Sequence, residues 1–388
     1  MSGNFGWRGD ARDRDDSAPS AFHDAHRAYT PGTSYTRPTP ASDDGGSYRA
    51  PFTRAADPPP PPTPTYPVVD LTPRIHSVTA LNYLGVAIDT TGSVGSWRPE
   101  LFKRLALLFL GSVELLGGTV KRKGTSSLDG PPVTTIDGRK ILELQFIGFG
   151  DADISSDTIE VAPPGSGPEL DGYLHHMRKD CSGGGNDHES SDQALLFADR
   201  MVKLPEGIRQ KLFVIVTDEP YPDVIDPEHA QRWLGITLQG PTPLSKVVDS
   251  LRARGWSLWC VQKPLSGDGY TQETRKKWQN LLGDERVLPL DDARRVVDVI
   301  LGIVAIQAGK FEVFTADLMS RHDTPDNKYG KVNVRTVLTS LSSASVVLGA
   351  AGKPMRAPQT KALLPAHPDT KIRRDGHTVI DVDLDPED

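Results

Sequence analysis

The sequence of 388 residues has only two cysteines, Cys181 and Cys260, which lie far apart along the chain. So few cysteines exclude a disulfide-rich scaffold and a cluster of cysteine metal ligands. They favour a reduced, cytoplasmic chain, although the pair leaves one disulfide open. Long apolar runs are also missing, because no stretch approaches the roughly 20 residues that span a bilayer. The polar first sixteen residues show no secretory signal. The sequence therefore predicts no contact with a membrane.

An excess of basic charge is absent as well. The formal net charge is −7, which argues against nucleic-acid binding driven by charge. Apolar surface is scarce in residues 1–75, which are rich in proline, serine, threonine and charge and include the run Pro58 to Pro62. We expect this segment to be a disordered, proline-rich tail, because it buries too little apolar surface to offset chain entropy.

Alternating strand and helix patterns fill the middle of the chain. Apolar runs predict strands at 81–88, 141–149, 212–217, 256–261 and 286–290. Helical spacing predicts helices at 101–116, 169–179, 190–202, 244–254, 274–282 and 292–307. This order predicts an α/β fold, a doubly wound and mostly parallel sheet flanked by helices. The predicted limits are a folded domain at 76–309, a short helical extension at 310–350 and a flexible tail at 351–388.

The first predicted strand ends in a polar cluster. Residues 84–93 read LGVAIDTTGS, so Asp89, Thr91 and Ser93 stand at alternate positions in the turn after a buried strand. Ligands of open α/β sheets bind just beyond the carboxyl ends of strands. Hard oxygen ligands suit Mg²⁺ or Ca²⁺ better than zinc. The competing interpretation is a turn in which a hydroxyl merely caps the next helix.

Two further stretches strengthen the metal hypothesis. Asp218 follows the buried run LFVIVT at the same predicted edge of the sheet, where a carboxylate is costly unless it is paired or bound to a metal. The glycine-rich stretch from Cys181 onward continues with Asn186 and Asp187 before an apolar helix. It is not a phosphate-binding loop, because no GK[ST] follows and no strand directly precedes it. An ordinary capped loop remains the alternative for this stretch.

Together, these stretches resemble the von Willebrand factor A domain over residues 78–309. That family carries D-x-[ST]-x-S after its first strand, here Asp89 to Ser93, as a metal-ion-dependent adhesion site. The resemblance implies that Thr91 and Ser93 bind Mg²⁺, or Ca²⁺ or Mn²⁺, directly. Asp89 and Asp218 would bind directly or through water. The family's loop ligand, often threonine, would be Asp187 here, with Asn186 as second choice. One coordination position would accept a carboxylate from a partner protein.

The resemblance implies a non-catalytic, intracellular adaptor. Its expected partner presents an acidic side chain, in an assembly with an AAA+ ATPase, or in a stress-response or signalling assembly with a kinase or phosphatase. One alternative is a Mg²⁺-dependent hydrolase or phosphotransferase that uses Asp89 and Asp218. That reaction needs a second aspartate where Thr91 stands, and no basic residue lies beside the motif in sequence. The other alternative is a metal-free scaffold.

Overall fold

A computed structural model describes most of the chain from residue 66 onward. The described residues are 66–95, 97–105, 107–118, 122–123, 127–128, 134–177, 181, 188–264, 268–322, 330–348, 371–372 and 378–379. The predicted tail at 1–75 therefore lies outside the description up to residue 65. The predicted tail at 351–388 also lies outside it, apart from two short strands. The predicted domain limits remain predictions.

A six-stranded sheet forms the centre of the fold. Its strands are β1 (Asn82–Asp89), β2 (Leu142–Phe149), β3 (Ile159–Val161), β4 (Gln210–Thr217), β5 (Ser257–Gln262) and β6 (Val287–Pro289). Their spatial order is β6-β5-β4-β1-β2-β3. Every neighbouring pair is parallel except β2 and β3, which are antiparallel. The predicted α/β class with a mostly parallel sheet is confirmed.

Helices cover both faces of this sheet. They are α1 (Trp97–Leu105), α2 (Leu108–Leu115), α3 (Glu169–His176), α4 (Ser191–Arg200), α5 (Pro227–Leu234), α6 (Leu244–Ala253), α7 (Asp268–Leu282), α8 (Val296–Gln307), α9 (Phe311–His322) and α10 (Gly330–Leu348). Short 3₁₀ turns lie at Gly92–Val94, Asp284–Arg286 and Ala293–Arg295. Paired two-residue strands are His76–Ser77 with Val202–Lys203, Val224–Ile225 with Thr242–Pro243, Thr135–Ile136 with Arg139–Lys140, Arg122–Lys123 with Ser127–Leu128, and Lys371–Ile372 with Thr378–Val379. No described helix is long and apolar enough to cross a membrane.

Side-chain alternation along β1 divides the interior into two cores. Leu84, Val86 and Ile88 face one core, which also contains residues of α1, α2 and α8. Tyr83 and Ala87 face the other core, with residues of α4 to α7. All eight residues of β1 are buried, as expected for a central parallel strand covered on both faces. The continuous apolar run in the sequence is therefore explained by burial on two sides.

Several details differ from the sequence prediction. The antiparallel edge strand β3 and helix α5 were not predicted, because three residues and a short polar helix give weak periodic signals. The single helix predicted at 101–116 is two helices, α1 and α2. A short hairpin that turns at Asp137 and Gly138 pairs Thr135–Ile136 with Arg139–Lys140. Both turn residues have positive φ, 51° and 74°, as a type I′ turn requires.

The helices beyond β6 pack on the main core. Phe311, Phe314 and Leu318 of α9 are buried in the same cluster as α8, and so are Val337 and Leu341 of α10. Each Å² of apolar surface that these side chains bury stabilises the fold by roughly 25 cal/mol. The helices α9 and α10 are thus part of the same folded core.

Helix α4 carries a buried carboxyl group with no cationic partner among the described residues. Asp192 is 2% exposed; Oδ2 accepts from Gln193 Nε2, whereas Oδ1 has no hydrogen-bond partner in the described structure. Burial raises the pKa of Asp192 to about 7. On the same helix, the buried carboxylate of Asp199 instead accepts from Ser250 and from Arg254.

This contrast predicts opposite effects of two matched substitutions. The folded protein holds the Asp192 proton more tightly than the unfolded chain, so stability falls as pH rises from about 4 to about 7, by ~1.4 kcal/mol per pH unit at most. Asp192→Asn should therefore raise the free energy of unfolding at pH 8 and flatten its pH dependence. Asp199→Asn should lower it at pH 8, because Arg254 loses its carboxylate. Urea unfolding at several pH values measures both; parallel pH profiles for wild type and Asp192→Asn would refute the first expectation.

Candidate metal centre

The candidate site lies where the winding of the sheet reverses. From β1 the chain proceeds to β2 and β3 on one side, whereas β4, β5 and β6 lie on the other. Strands β1 and β4 are parallel neighbours, so their carboxyl ends meet at one edge, which is where open α/β sheets bind ligands. β1 ends at Asp89 and β4 at Thr217. Thr217 Oγ1 donates to Asp89 Oδ2 at 2.8 Å.

Hydrogen bonds to two carboxylates and one contact between hydroxyl groups link the predicted residues of β1 and β4. Thr91 donates to Asp89 Oδ1 through its backbone N–H (2.9 Å) and its hydroxyl (2.6 Å). The hydroxyl oxygens of Thr91 and Ser93 are 3.1 Å apart. Ser93 Oγ donates to Asp218 Oδ1 at 2.9 Å. The structure thus brings together Asp89, Thr91, Ser93 and Asp218.

The direction of these bonds leaves two oxygen atoms available as ligands. Thr91 gives its hydroxyl proton to Asp89, and Ser93 gives its own to Asp218. Lone pairs of both hydroxyl oxygens then face each other across 3.1 Å. Adjacent ligands of an octahedral Mg²⁺ at ~2.1 Å stand about 3 Å apart. The spacing therefore suits two neighbouring ligands of one small cation.

The loop before α4 contributes a carboxylate that differs from the predicted one. Asp187 and Asn186 lie outside the described residues, so their predicted role stays a prediction. Glu189 is buried, and its Oε2 has no hydrogen-bond partner in the described structure. Burial and the nearby carboxylates of Asp89 and Asp151 raise the pKa of Glu189 to about 9. Glu189 lies two residues before α4, but its side-chain direction could not be read from sequence.

The surroundings of Asp89 also disfavour its charged form. Burial and the Asp218 carboxylate raise the pKa of Asp89 to about 7, despite its hydrogen bonds from Thr91 and Thr217. Buried carboxylates that face one another are stabilised by taking up protons or by binding a cation. A divalent cation bound at the cluster around Asp89 and Glu189 would therefore offset the charge that these carboxyl groups gain on losing their protons.

A basic residue that the sequence analysis missed reaches the site. Lys263 Nζ lies 2.7 Å from Asp218 Oδ2 and 2.6 Å from the carbonyl oxygen of Ser93. No basic residue lies beside the motif in sequence, but the fold brings Lys263 to it from 170 positions away in the chain. It directly follows β5, a third parallel strand whose carboxyl end lies at this edge of the sheet.

The donor set fits a hard divalent cation only when hydroxyls are counted. Within the part of the chain that the structure describes, no three His, Cys, Asp or Glu side chains are placed to hold a metal by themselves. Thr91 and Ser93 supply the oxygens that such a count omits. Oxygen donors of this kind are typical of Mg²⁺ and Ca²⁺ sites, not of zinc sites rich in nitrogen and sulfur.

The two cysteines take no part in this centre. Cys181 is buried. Cys260 lies inside β5 and is also buried. No disulfide joins them in the described structure.

Comparison with known proteins finds similar solved structures. No protein-family model matches the chain, and no curated protein matches it. The pilus adhesin SpaC from Lactobacillus rhamnosus GG is 12% identical, with a TM-score of 0.41 over 62% of this chain and 32% of SpaC. Proximal thread matrix protein 1 from the mussel byssus, in a form with a zinc-occupied MIDAS motif, is 13% identical, with a TM-score of 0.37 over 62% of this chain and 47% of that one. The vWF domain of the type V pili tip protein Mfa5 from Porphyromonas gingivalis is 9% identical, with a TM-score of 0.35 over 59% of this chain and 96% of that domain.

Proposed function

We propose that this chain is a von Willebrand factor A-type interaction domain that binds a partner protein through a divalent cation, and that it is not an enzyme. One observation carries the proposal. The hydroxyl oxygens of Thr91 and Ser93 lie 3.1 Å apart, and each gives its proton to a buried carboxylate. Two lone pairs that face each other at this distance repel each other, and a cation that binds both oxygens removes this repulsion.

The chain's own residues have distinct roles in this proposal. Thr91 and Ser93 bind Mg²⁺ directly. Asp218 Oδ1 orients the Ser93 hydroxyl, and Asp89 orients the Thr91 hydroxyl. Because Asp89 already accepts three hydrogen bonds, we assign it to the outer sphere, where it bonds through water. Glu189 replaces Asp187 as our first choice for the loop carboxylate.

The bound cation would supply an exchangeable position for an acidic side chain. Mg²⁺ usually keeps several waters in protein sites and is also bound by carboxylates, so the carboxylate of a partner would take the place of one water. The partner is therefore a protein that presents Asp or Glu. A cytoplasmic adaptor role, beside an AAA+ ATPase, a kinase or a phosphatase, remains part of the proposal.

The hydrolase alternative is disfavoured by the state of Asp89. A nucleophilic carboxylate must present an oxygen to the substrate, yet both oxygens of Asp89 accept hydrogen bonds and the residue is fully buried. Phosphatase turnover that disappeared in Asp89→Asn would reverse this ranking. A chain that binds no divalent cation would instead favour the metal-free scaffold.

A neighbouring pair of threonines provides the test of metal binding. Thr91→Val should abolish Mg²⁺ or Mn²⁺ binding in calorimetric titration, because valine keeps the shape and removes a ligand. Thr90→Val is the matched control: Thr90 is equally buried, but its hydroxyl donates to the Phe149 carbonyl at 2.9 Å. Thr90→Val should bind the metal like the wild type. Equal metal binding by wild type and Thr91→Val would refute the proposed ligand set.

Partner chemistry is tested separately with a random peptide library. Selection on the wild-type protein in Mg²⁺, with counter-selection on Thr91→Val, should enrich peptides that contain Asp or Glu and that EDTA releases. Enrichment without acidic residues would contradict a carboxylate as the partner's ligand.

A further inference from the structure

We infer that Lys263 is a built-in counter-ion of this site, so that a divalent cation binds in competition with the lysine ammonium group. The inference rests on the proposed metal site and identifies Lys263 as a residue that sets the affinity of this site for metal. Lys263 would stabilise the metal-free protein and, by the same charge, weaken metal binding.

The ammonium group shares two partners with the proposed metal position. Asp218 offers Oδ1 to the Ser93 hydroxyl and Oδ2 to Lys263. Ser93 likewise uses its side chain toward the cluster and its carbonyl oxygen toward Lys263 at 2.6 Å. The ammonium group therefore contacts both residues that form the Ser93–Asp218 hydrogen bond, next to the proposed ligand oxygen of Ser93.

Burial and backbone anchoring hold Lys263 in this place. Its side chain is 16% exposed, and that of Asp218 is 0% exposed. The backbone N–H of Lys263 donates to the carbonyl oxygen of Thr217 at 3.0 Å, which ties the residue to the end of β4. In the described part of the chain, Lys263 forms the ion pair with Asp218, and no other Lys, Arg or His pairs with Asp89, Asp218 or Glu189. A surface lysine without such restraints would have little effect on a metal site.

The charge of the Lys263 ammonium group has opposite effects on two measurable quantities, the stability of the metal-free protein and the affinity for metal. Without metal, the ammonium offsets a buried carboxylate that would otherwise be unpaired, so it stabilises the fold. With metal, a positive charge a few ångströms from a divalent cation is repulsive, and little water screens it there. A residue with a purely structural role would lower stability and metal affinity together when removed. Removal of a counter-ion would lower the stability of the metal-free protein and raise its metal affinity.

The test uses Lys263→Met, Lys263→Arg and a matched control on the full chain. Lys140→Met removes a lysine that lies 2.9 Å from the buried Glu143 carboxylate, near the amino end of β2. Mn²⁺ titration calorimetry gives the affinity, and thermal unfolding in EDTA gives the stability of the metal-free protein. For Lys263→Met we expect Mn²⁺ binding at least ~10-fold tighter together with a lower melting temperature in EDTA.

Lys263→Arg keeps the charge and should resemble the wild type in both measurements, which also shows that the position tolerates a change. Lys140→Met should leave the Mn²⁺ affinity unchanged. Metal binding by Lys263→Met alone, with none in the wild type, would support the counter-ion and refute the proposed function in the native chain. If the wild type binds Mn²⁺ and Lys263→Met binds it equally or more weakly, the counter-ion role is overturned and the proposed function remains intact. Absence of binding in every variant would overturn both.

Discussion

Replacement of Asp218 by alanine is expected to weaken divalent-cation binding strongly and to destabilise the fold at the same time. The substitution leaves the Ser93 hydroxyl without its acceptor and the Lys263 ammonium without its carboxylate. Breaking a buried ion pair from one side typically costs about 3–5 kcal/mol. Loss of a group that orients a metal ligand typically weakens metal affinity by about 10–100-fold. Urea unfolding and Mn²⁺ titration measure the two effects.

Asp218→Asn separates the charge of this residue from its shape. Asparagine can still accept a hydrogen bond from Ser93, so its stability should lie between those of the wild type and the alanine variant. Its Mn²⁺ affinity should be reduced, because the negative charge is gone. Unchanged Mn²⁺ affinity in Asp218→Ala would remove Asp218 from the site.

Trp278→Ala is expected to lower both the stability of the fold and the metal affinity of the site. Trp278 of α7 is fully buried, and its indole N–H donates to the carbonyl oxygen of Glu219 at 2.9 Å, one residue after Asp218. Its ring also contacts the Tyr221 ring, with centroids 4.8 Å apart. Large aromatic deletions cost about 3–5 kcal/mol. Because the lost hydrogen bond holds the segment after β4, we expect weaker Mn²⁺ binding as well as lower stability.

Trp256→Ala is the matched control for the previous expectation. Trp256 is also buried, but it directly precedes β5 and packs on Tyr83 and Phe213, near the amino ends of the strands. It should lose comparable stability and retain the Mn²⁺ affinity of the wild type in the folded population. Equal losses of affinity in both variants would show that general destabilisation, rather than the tie to Glu219, affects the metal site.

The meeting of Asp89, Thr91, Ser93 and Asp218 could be predicted from sequence for a simple physical reason. Each follows a continuous apolar run, which identifies a buried parallel strand, and parallel strands bring their carboxyl ends to one edge. Distance along the chain then matters little: Ser93 and Asp218 are 125 positions apart, and their side chains share a hydrogen bond. The same reasoning predicted the class of fold.

Lys263, Glu189 and Thr217 could not be assigned in the same way. Their roles depend on side-chain direction at a strand or loop end, which no periodic pattern encodes. Lys263 stands after β5 in QKP, where a lysine normally indicates solvent, and only the proximity of β5 to β4 turns it toward Asp218. The short strand β3 was missed for a different reason, because its three residues give too little pattern to detect.

The most direct test is a crystal structure of the wild-type protein with Mn²⁺, read from the anomalous difference map. We predict one peak within ~2.3 Å of both Thr91 Oγ1 and Ser93 Oγ, at the carboxyl edge of β1 and β4. Asp218 should be within reach of the ion directly or through water. A map with no peak at these two hydroxyl groups, at a Mn²⁺ concentration that saturates binding in solution, would contradict the site.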